Sequence, residues 1–259
     1  MKPARRLDAV TIAPLLRTGW LGRTWFWRRT TTSTNDDVKR LAEQGAATGT
    51  VMAALAQTGG RGRQGKSWHS PRGGLWMSVV LRPQVSAADL APLGLAAAVA
   101  VAETVVAHGG KAVELKWPND VLLDGRKVAG ILAEGATEGG RVRHVVLGIG
   151  VNLDVHRFPA ALRGRATSLR REWGSAVDRA AFAADLCASL ERWIDRFERD
   201  GSAPIVAAWQ ARGRVGNHVS VRCGTTVREG IALGLDPDGA LRLRLPDGRV
   251  ERVLSGEIG

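Results

Sequence analysis

Eight residues, Gly60-Arg-Gly-Arg-Gln-Gly-Lys-Ser67, place two arginines and a lysine among three glycines. Such a segment can lay backbone N–H groups and cationic side chains against an anion. It satisfies at once G-x-x-x-x-G-K-[ST] and G-x-G-x-x-G, two phosphate-binding patterns. Both need a helix directly after the last glycine, whose free N–H groups and dipole hold the phosphate. Here Ser67-Trp-His-Ser-Pro-Arg-Gly-Gly74 follows, and Pro71 with two glycines forbids that helix. Neither pattern therefore applies. A solvated turn would account for the glycines, but less well for Arg61, Arg63, Lys66 and Arg72 crowding between Trp68 and Trp76. The spacing predicts a cationic lid that folds over an anionic, partly apolar small molecule.

Other groups suited to chemistry flank this loop. Thr31-Thr-Ser-Thr-Asn35 offers hydroxyls and an amide, and Gln57 stands just ahead of the glycines. Ser33 or Thr34 is equally suited to capping a helix. Lys116-Trp-Pro-Asn-Asp120 reads as a turn, and Asn119 and Asp120 fit turn chemistry as well as a site. Lys127 by itself reads as a surface ammonium at a strand start. Cys187 and Cys223 lie far apart with no ligand spacing around them, so neither a protein-held metal nor a disulfide is expected.

These groups need elements to position them. Residues 8–17 read as a short helix, 24–29 as a strand, 36–44 as a helix ending at Gly45, and 51–56 as a buried strand. After the loop, 75–81 resumes as a strand. Ser86 and Asp89 look like a capping box opening a long apolar helix that ends at His108-Gly109-Gly110. Strands at 112–116, 121–123 and 127–134 resemble a meander, and 142–151 is apolar enough to sit centrally. Phe182, Leu186, Leu190, Trp193 and Phe197 recur at helical spacing and form a core face. Beyond Gly213 short alternating segments and the DPDG and PDG turns read as a separate small β-barrel.

The chain has 259 residues, 44% of them apolar, enough for one large core with a small appended module. The longest apolar candidate, 90–106, carries Pro92 and Glu103, so no membrane span is expected. The opening MKPARRLDAV has cations but no apolar stretch after them, which predicts no secretory signal and a cytoplasmic location. A net charge of +12 invites a nucleic-acid partner. The arginines, however, are scattered through every kind of element rather than gathered on one.

Taken in order, Thr31 to Asn35, Gln57 with GRGRQGKSWHSP, KWPNDVLLDGRKVAGILAE from Lys116 to Glu134, and GIGVN from Gly148 to Asn152 resemble the biotin protein ligase family. Four linked motifs cover most of residues 30–152. The resemblance implies an α+β fold: a central mixed β-sheet flanked by helices, of the class II aminoacyl-tRNA synthetase type, over 1–213, and an SH3-like β-barrel over 214–259. It also implies activation of biotin by ATP, with Mg2+ accompanying the nucleotide, and transfer to a lysine of a biotin carboxyl carrier domain. A lipoate ligase and a basic nucleic-acid-binding protein are the alternatives. The DNA-binding domain of repressor-type members is not found ahead of Thr30, so sequence-specific DNA binding is not expected.

Residue by residue, the resemblance places Lys127 beside the biotin carboxylate and the α-phosphate, with Arg63 and Asp120 at the reacting groups. Ser33, Thr34, Asn35, Gln57, Arg61 and Gly62 join Arg63 and Lys127 around biotin. Arg61, Lys116, Asn119, Asn152 and Trp68 are assigned to the nucleotide. Gln64 and Lys66 depart from the family, many of whose members carry arginine there.

Overall fold

The computed structural model describes residues 6–86, 90–109, 112–139 and 141–259. A short helix α1 (Ala9–Ile12) precedes β1 (Trp25–Arg28), α2 (Thr34–Glu43) and β2 (Val51–Ala54). The loop leads to β3 (Leu75–Leu81), then α3 (Ala91–Gly109), β4 (Glu114–Lys116), β5 (Asp120–Leu123), β6 (Arg126–Glu138) and β7 (Arg141–Val151). Next come α4 (Leu169–Trp173), α5 (Arg179–Asp200) and α6 (Ala203–Gln210). Five strands close the chain: β8 (His218–Cys223), β9 (Thr226–Leu235), β10 (Leu241–Arg244), β11 (Val250–Val253) and β12 (Glu257–Ile258).

Seven strands form the first sheet in the order β1-β2-β3-β7-β6-β5-β4. β1 and β2 run parallel and every other neighbouring pair antiparallel, so the sheet is mixed. The apolar run of β7 puts it in the fourth, central place, where both its edges are paired. β4, β5 and β6 are successive neighbours, the expected meander, and β7 extends it by one strand. α2 covers one face, with Val38 and Ala42 against Met52, Val80 and Val146. The main core lies on the other face, beneath α3, α5 and α6. Phe182, Leu186, Leu190, Trp193 and Phe197 are all buried there, and each such side chain contributes about 1.5–3 kcal/mol.

α3 is long and apolar enough to cross a membrane by length and composition. Most of it is packed away, since Leu93, Leu95 and the run Ala96–Ala102 are buried against α5, α6 and the sheet. The helix end at Gly109 is as expected, while Asp89 of the anticipated capping box and Gly110 lie outside the described residues. α2 begins at Thr34, two residues earlier than its polar run suggests.

The terminal strands form a second, antiparallel sheet in the order β11-β10-β9-β8-β12. The expected barrel is corrected here: β11 and β12 remain the two edges, and no pair between them closes the sheet among the described residues. β12 is only two residues long and pairs with Val221 and Arg222 alone, too little edge to bridge to β11. This sheet is tied to the first. The Trp117 indole N–H, in the turn between β4 and β5, donates to the Gly239 carbonyl at 3.0 Å, and the segment leading into the second sheet is held where Leu115 N donates to Arg212 O at 2.9 Å.

Candidate active site

Ser33 is the N-cap residue of α2 and is buried, but its side chain makes no capping hydrogen bond. Thr34 and Asn35 follow in the first turn, also buried, and face the sheet instead of solvent. The Gln57 side-chain carbonyl accepts from Thr34 N at 2.8 Å and from Thr34 Oγ1 at 3.0 Å, while its amide donates to Ser70 Oγ at 2.8 Å. Ser78 Oγ on β3 lies 2.7 Å from Thr34 Oγ1 and 2.6 Å from Asn35 Oδ1. Asn35 Nδ2 donates to Glu134 Oε2 at 2.5 Å. Loop, helix start and two strands are thus joined by one chain of amides and hydroxyls that ends on the Glu134 carboxylate.

The glycines of GIGVN explain how these side chains reach the sheet. A Cβ on Gly148 would stand 2.2 Å from Asn35 Oδ1, and one on Gly150 would stand 2.5 Å from Trp68 Nε1. Only a bare backbone admits both neighbours. Trp68 therefore lies flat on β7, edge-on to Trp76 at 6.3 Å, with the Lys127 ammonium 5.0 Å from its ring centre. Its indole N–H is buried with no hydrogen-bond partner among the described residues.

Lys127 Nζ lies 2.5 Å from Asp120 Oδ1, both side chains being mostly buried. Lys116 is the cross-strand partner of Asp120 on β4. Burial pushes the Lys116 ammonium below the usual lysine range, Asp120 working against that shift. Lys127 is further fixed by its backbone: its N–H donates to Arg165 O and its carbonyl accepts from Thr167 N, each at 2.9 Å. The Asn119 amide is committed to structure, donating to Ile131 O at 2.6 Å. Asn152 Nδ2 donates to Thr167 O at 3.0 Å, whereas its Oδ1 is buried without a partner among the described residues.

The loop cations diverge. Arg61 forms a two-pronged pair with Asp36 on α2 at 2.7 and 2.6 Å, with Glu134 3.9 Å away. This bond raises the Arg61 pKa and holds Asp36 below the usual carboxylate range. Arg63 donates to Gly256 O at 3.1 Å, and burial lowers its pKa while Glu257 and Asp120 oppose the shift. Lys66 pairs with Glu257. Gly62 is not sterically required by the loop's own packing, since its added Cβ would meet nothing nearer than Lys66 O at 3.5 Å. No helix follows Gly65; the chain runs on to β3.

The structure therefore gathers Lys127, Asp120, Lys116 and Trp68 at one place and Ser33, Thr34, Asn35 and Gln57 at another, with the backbone of Gly148 and Gly150 between them. Arg61 and Arg63 lie at the rim. Ser70, Ser78, Glu134 and Glu257 belong to the same constellation and were not singled out from the sequence. Glu134 closes the KWPND-to-LAE motif and could have been noticed; Ser78 and Glu257 carried no local signal.

Comparisons with known proteins bear on what this constellation is. The Biotin/lipoate A/B protein ligase family pattern matches residues 27–152, and that of the biotin protein ligase C-terminal domain matches 215–258. The biotin--[acetyl-CoA-carboxylase] ligase of Paracoccus denitrificans is 42% identical over 225 residues, 85% of this chain and 93% of that one. This chain belongs to the biotin protein ligase family. Among solved structures, the biotin protein ligase of Aquifex aeolicus in complex with biotin and ATP superposes with a TM-score of 0.79 at 28% identity, covering 92% of this chain and 98% of that one. The Leishmania major biotin protein ligase in complex with biotinyl-5-AMP gives 0.62 at 25% identity, covering 90% and 99%. The first pattern does not separate biotin from lipoate; the terminal-domain pattern and these relatives all belong to the biotin side.

Proposed function

We propose that the protein condenses biotin with ATP to biotinyl-5'-AMP and pyrophosphate, then transfers biotin to a lysine of the biotin carboxyl carrier domain of a biotin-dependent carboxylase. The observation that carries this reading is the Lys127–Asp120 pair under Trp68, one strand away from the Gln57–Thr34–Ser78 network. The two halves suit the two halves of the substrate. A ureido ring presents one acceptor oxygen and two N–H donors, which the hydroxyls of Ser33 and Thr34 and the amides of Asn35 and Gln57 can meet. The indole of Trp68 supplies an apolar wall for the aliphatic tail or the adenine.

At the other end a carboxylate must approach the α-phosphorus of ATP. Two like charges about 4 Å apart repel by about 4 kcal/mol at an effective dielectric near 20. The Lys127 ammonium, already oriented by Asp120 and by the Trp68 ring, would stand between them and bind most strongly as charge develops in the transition state. The carboxylate oxygen forms the bond to phosphorus and pyrophosphate leaves. Lys116, Arg61 and Arg63 would neutralise the remaining phosphate charge. In the second step the neutral amine of the carrier lysine would attack the acyl carbon, the acyl–oxygen bond would break and AMP would leave, and the proton lost by the nitrogen would pass by way of Asp120 to water.

The unpartnered Asn152 Oδ1 fits the exocyclic amino group of adenine, which would satisfy it. Asn119 would support the nucleotide turn through its bond to Ile131. Mg2+ would enter on the phosphates, since among the described residues no three His, Cys, Asp or Glu side chains gather to hold an ion. Residues 1–213 would carry both substrates and 214–259 would form the second domain. The reading places the protein in the cytoplasm and involves neither sequence-specific DNA nor a membrane.

Pyrophosphate–ATP exchange tests it directly. Exchange that depends on biotin, and that lipoate does not support, is the expected result. Exchange driven by lipoate, or none from folded protein, rejects the reading. Duplex DNA retained above nonspecific strength at physiological salt would favour a nucleic-acid role.

A further inference from the structure

Lys66 and Glu257 are 191 positions apart, yet they meet where the glycine-rich loop touches β12, and neighbouring Arg63 binds the carbonyl of Gly256. The Lys66 hydrogen bond holds the Glu257 carboxyl below its usual range, and Lys127 and Lys116 are near enough to add to the effect. Arg63 feels the same carboxylate. One acidic side chain from the last strand thus lies among four cations, three of which face the anionic end of the site. Asp120 pairs with Lys127 and faces Lys116 and Arg63 as well, so without Glu257 one carboxylate would be left to balance four mutually repelling cations. Glu257 supplies negative charge to the same cations that the ligase reading assigns to phosphate.

We propose that Glu257 is a positioning residue for adenylation: in the empty enzyme it holds Lys66 and so pins the loop to the terminal sheet, and the phosphates of ATP take Lys66 from it on entry. This rests on the ligase reading and concerns its nucleotide step alone. The pair is suited to such an exchange. The Lys66 and Glu257 side chains are 58% and 42% exposed, a surface ion pair whose loss changes an equilibrium by about twofold to fivefold. A pair of that strength restrains a glycine-rich segment without locking it. Acid should release it: the carboxyl's folded pKa is depressed, so the restraint is complete above the ordinary glutamate range and is lost as pH falls through the lower, folded value.

The experiment compares Glu257→Gln with Lys66→Gln by limited proteolysis of the loop without ligands and by ATP and biotin KM in biotin-dependent exchange. Both variants are expected to expose the empty loop, with cleavage about threefold faster than wild type. ATP KM is expected to move in opposite directions. It falls about threefold in Glu257→Gln, which removes the phosphates' competitor, and rises about threefold in Lys66→Gln, which removes their partner. Biotin KM stays at the wild-type value in both. A purely structural contact would shift the two ATP values the same way, and a rise in Glu257→Gln or an unchanged loop would overturn the proposal. Should Glu257→Gln fail to fold, Glu257→Asp must show the same two shifts at smaller amplitude. Absence of exchange in the wild type strikes the ligase reading instead, and the proteolysis comparison still reads the loop contact.

Discussion

At the start of α2, Thr34, Asn35, Ser70 and Ser78 are buried and bound to one another, to Gln57 and to Glu134 through neutral or singly charged hydrogen bonds. At the loop, Arg61 and Lys66 are bound to Asp36 and Glu257 by ion pairs whose members are all more than a third exposed. The first arrangement cannot be altered without stranding buried polar atoms, at about 1–3 kcal/mol each. The second can be, because exposed pairs contribute about 0–1 kcal/mol and water substitutes for either partner. On the proposed reading, the first region would select biotin by its shape, and the second would yield its bonds to the incoming anion. Lys127 and Asp120 lie between these extremes, being paired but only partly exposed.

That contrast can be broken most forcefully at Lys127. Lys127→Ala is expected to reduce biotin-dependent exchange by about a hundredfold to a thousandfold, as loss of one transition-state donor does, with the melting temperature little changed. A parallel fall in melting would make the lysine structural. Gln57→Ala should cost both affinity and stability, because Thr34 loses its acceptor and Ser70 loses the amide that donates to it. Biotin affinity measured by calorimetry should weaken about tenfold or more, and denaturant unfolding should show a loss of about 1–3 kcal/mol. Gly148→Ala sharpens the claim about shape: its Cβ would stand 2.2 Å from Asn35 Oδ1, so Asn35 must move, at about 1–3 kcal/mol by the same unfolding measurement.

The smallest effect belongs to Lys116. Its folded pKa lies below its unfolded value, so the unfolded chain holds more protons between the two and stability rises with pH through that window. At neutral pH the burial penalty is present in full. Lys116→Met should therefore stabilise the empty protein by less than about 1 kcal/mol, given its half-exposed setting, and the gain should disappear as pH nears the ordinary lysine value. Thermal unfolding at two pH values reads both the sign and its disappearance, while the exchange rate falls.

Much of the frame was legible because burial imposes a local period. β3, β7 and the apolar face of α5 follow directly from their side-chain patterns, and the central place of β7 follows from its apolar run. Periodicity locates strands but says little about which edges meet. Hence the terminal segments are strands as expected, while the small β-barrel expected of them is an antiparallel sheet that does not close among the described residues, and β6 extends to Glu138 only because β7 pairs with it that far. The same limit applies to the site. Gly148, Asn35, Gln57 and Lys127 stand in contiguous motifs. Ser78 lies in an otherwise apolar strand, and Glu257 lies in a short segment read simply as β. Their importance arises from contacts across the fold, which no local window contains.

The bond from Trp117 to the Gly239 carbonyl has one more consequence. The indole hangs from the very bend that presents Asp120, so a chain severed after Gly213 would surrender an anchor of that bend, and with it the chemistry proposed for Asp120, along with a neighbouring module. Heat, proteases or mutations that loosen the tail should thus be felt first as lost turnover, well before the larger sheet comes apart.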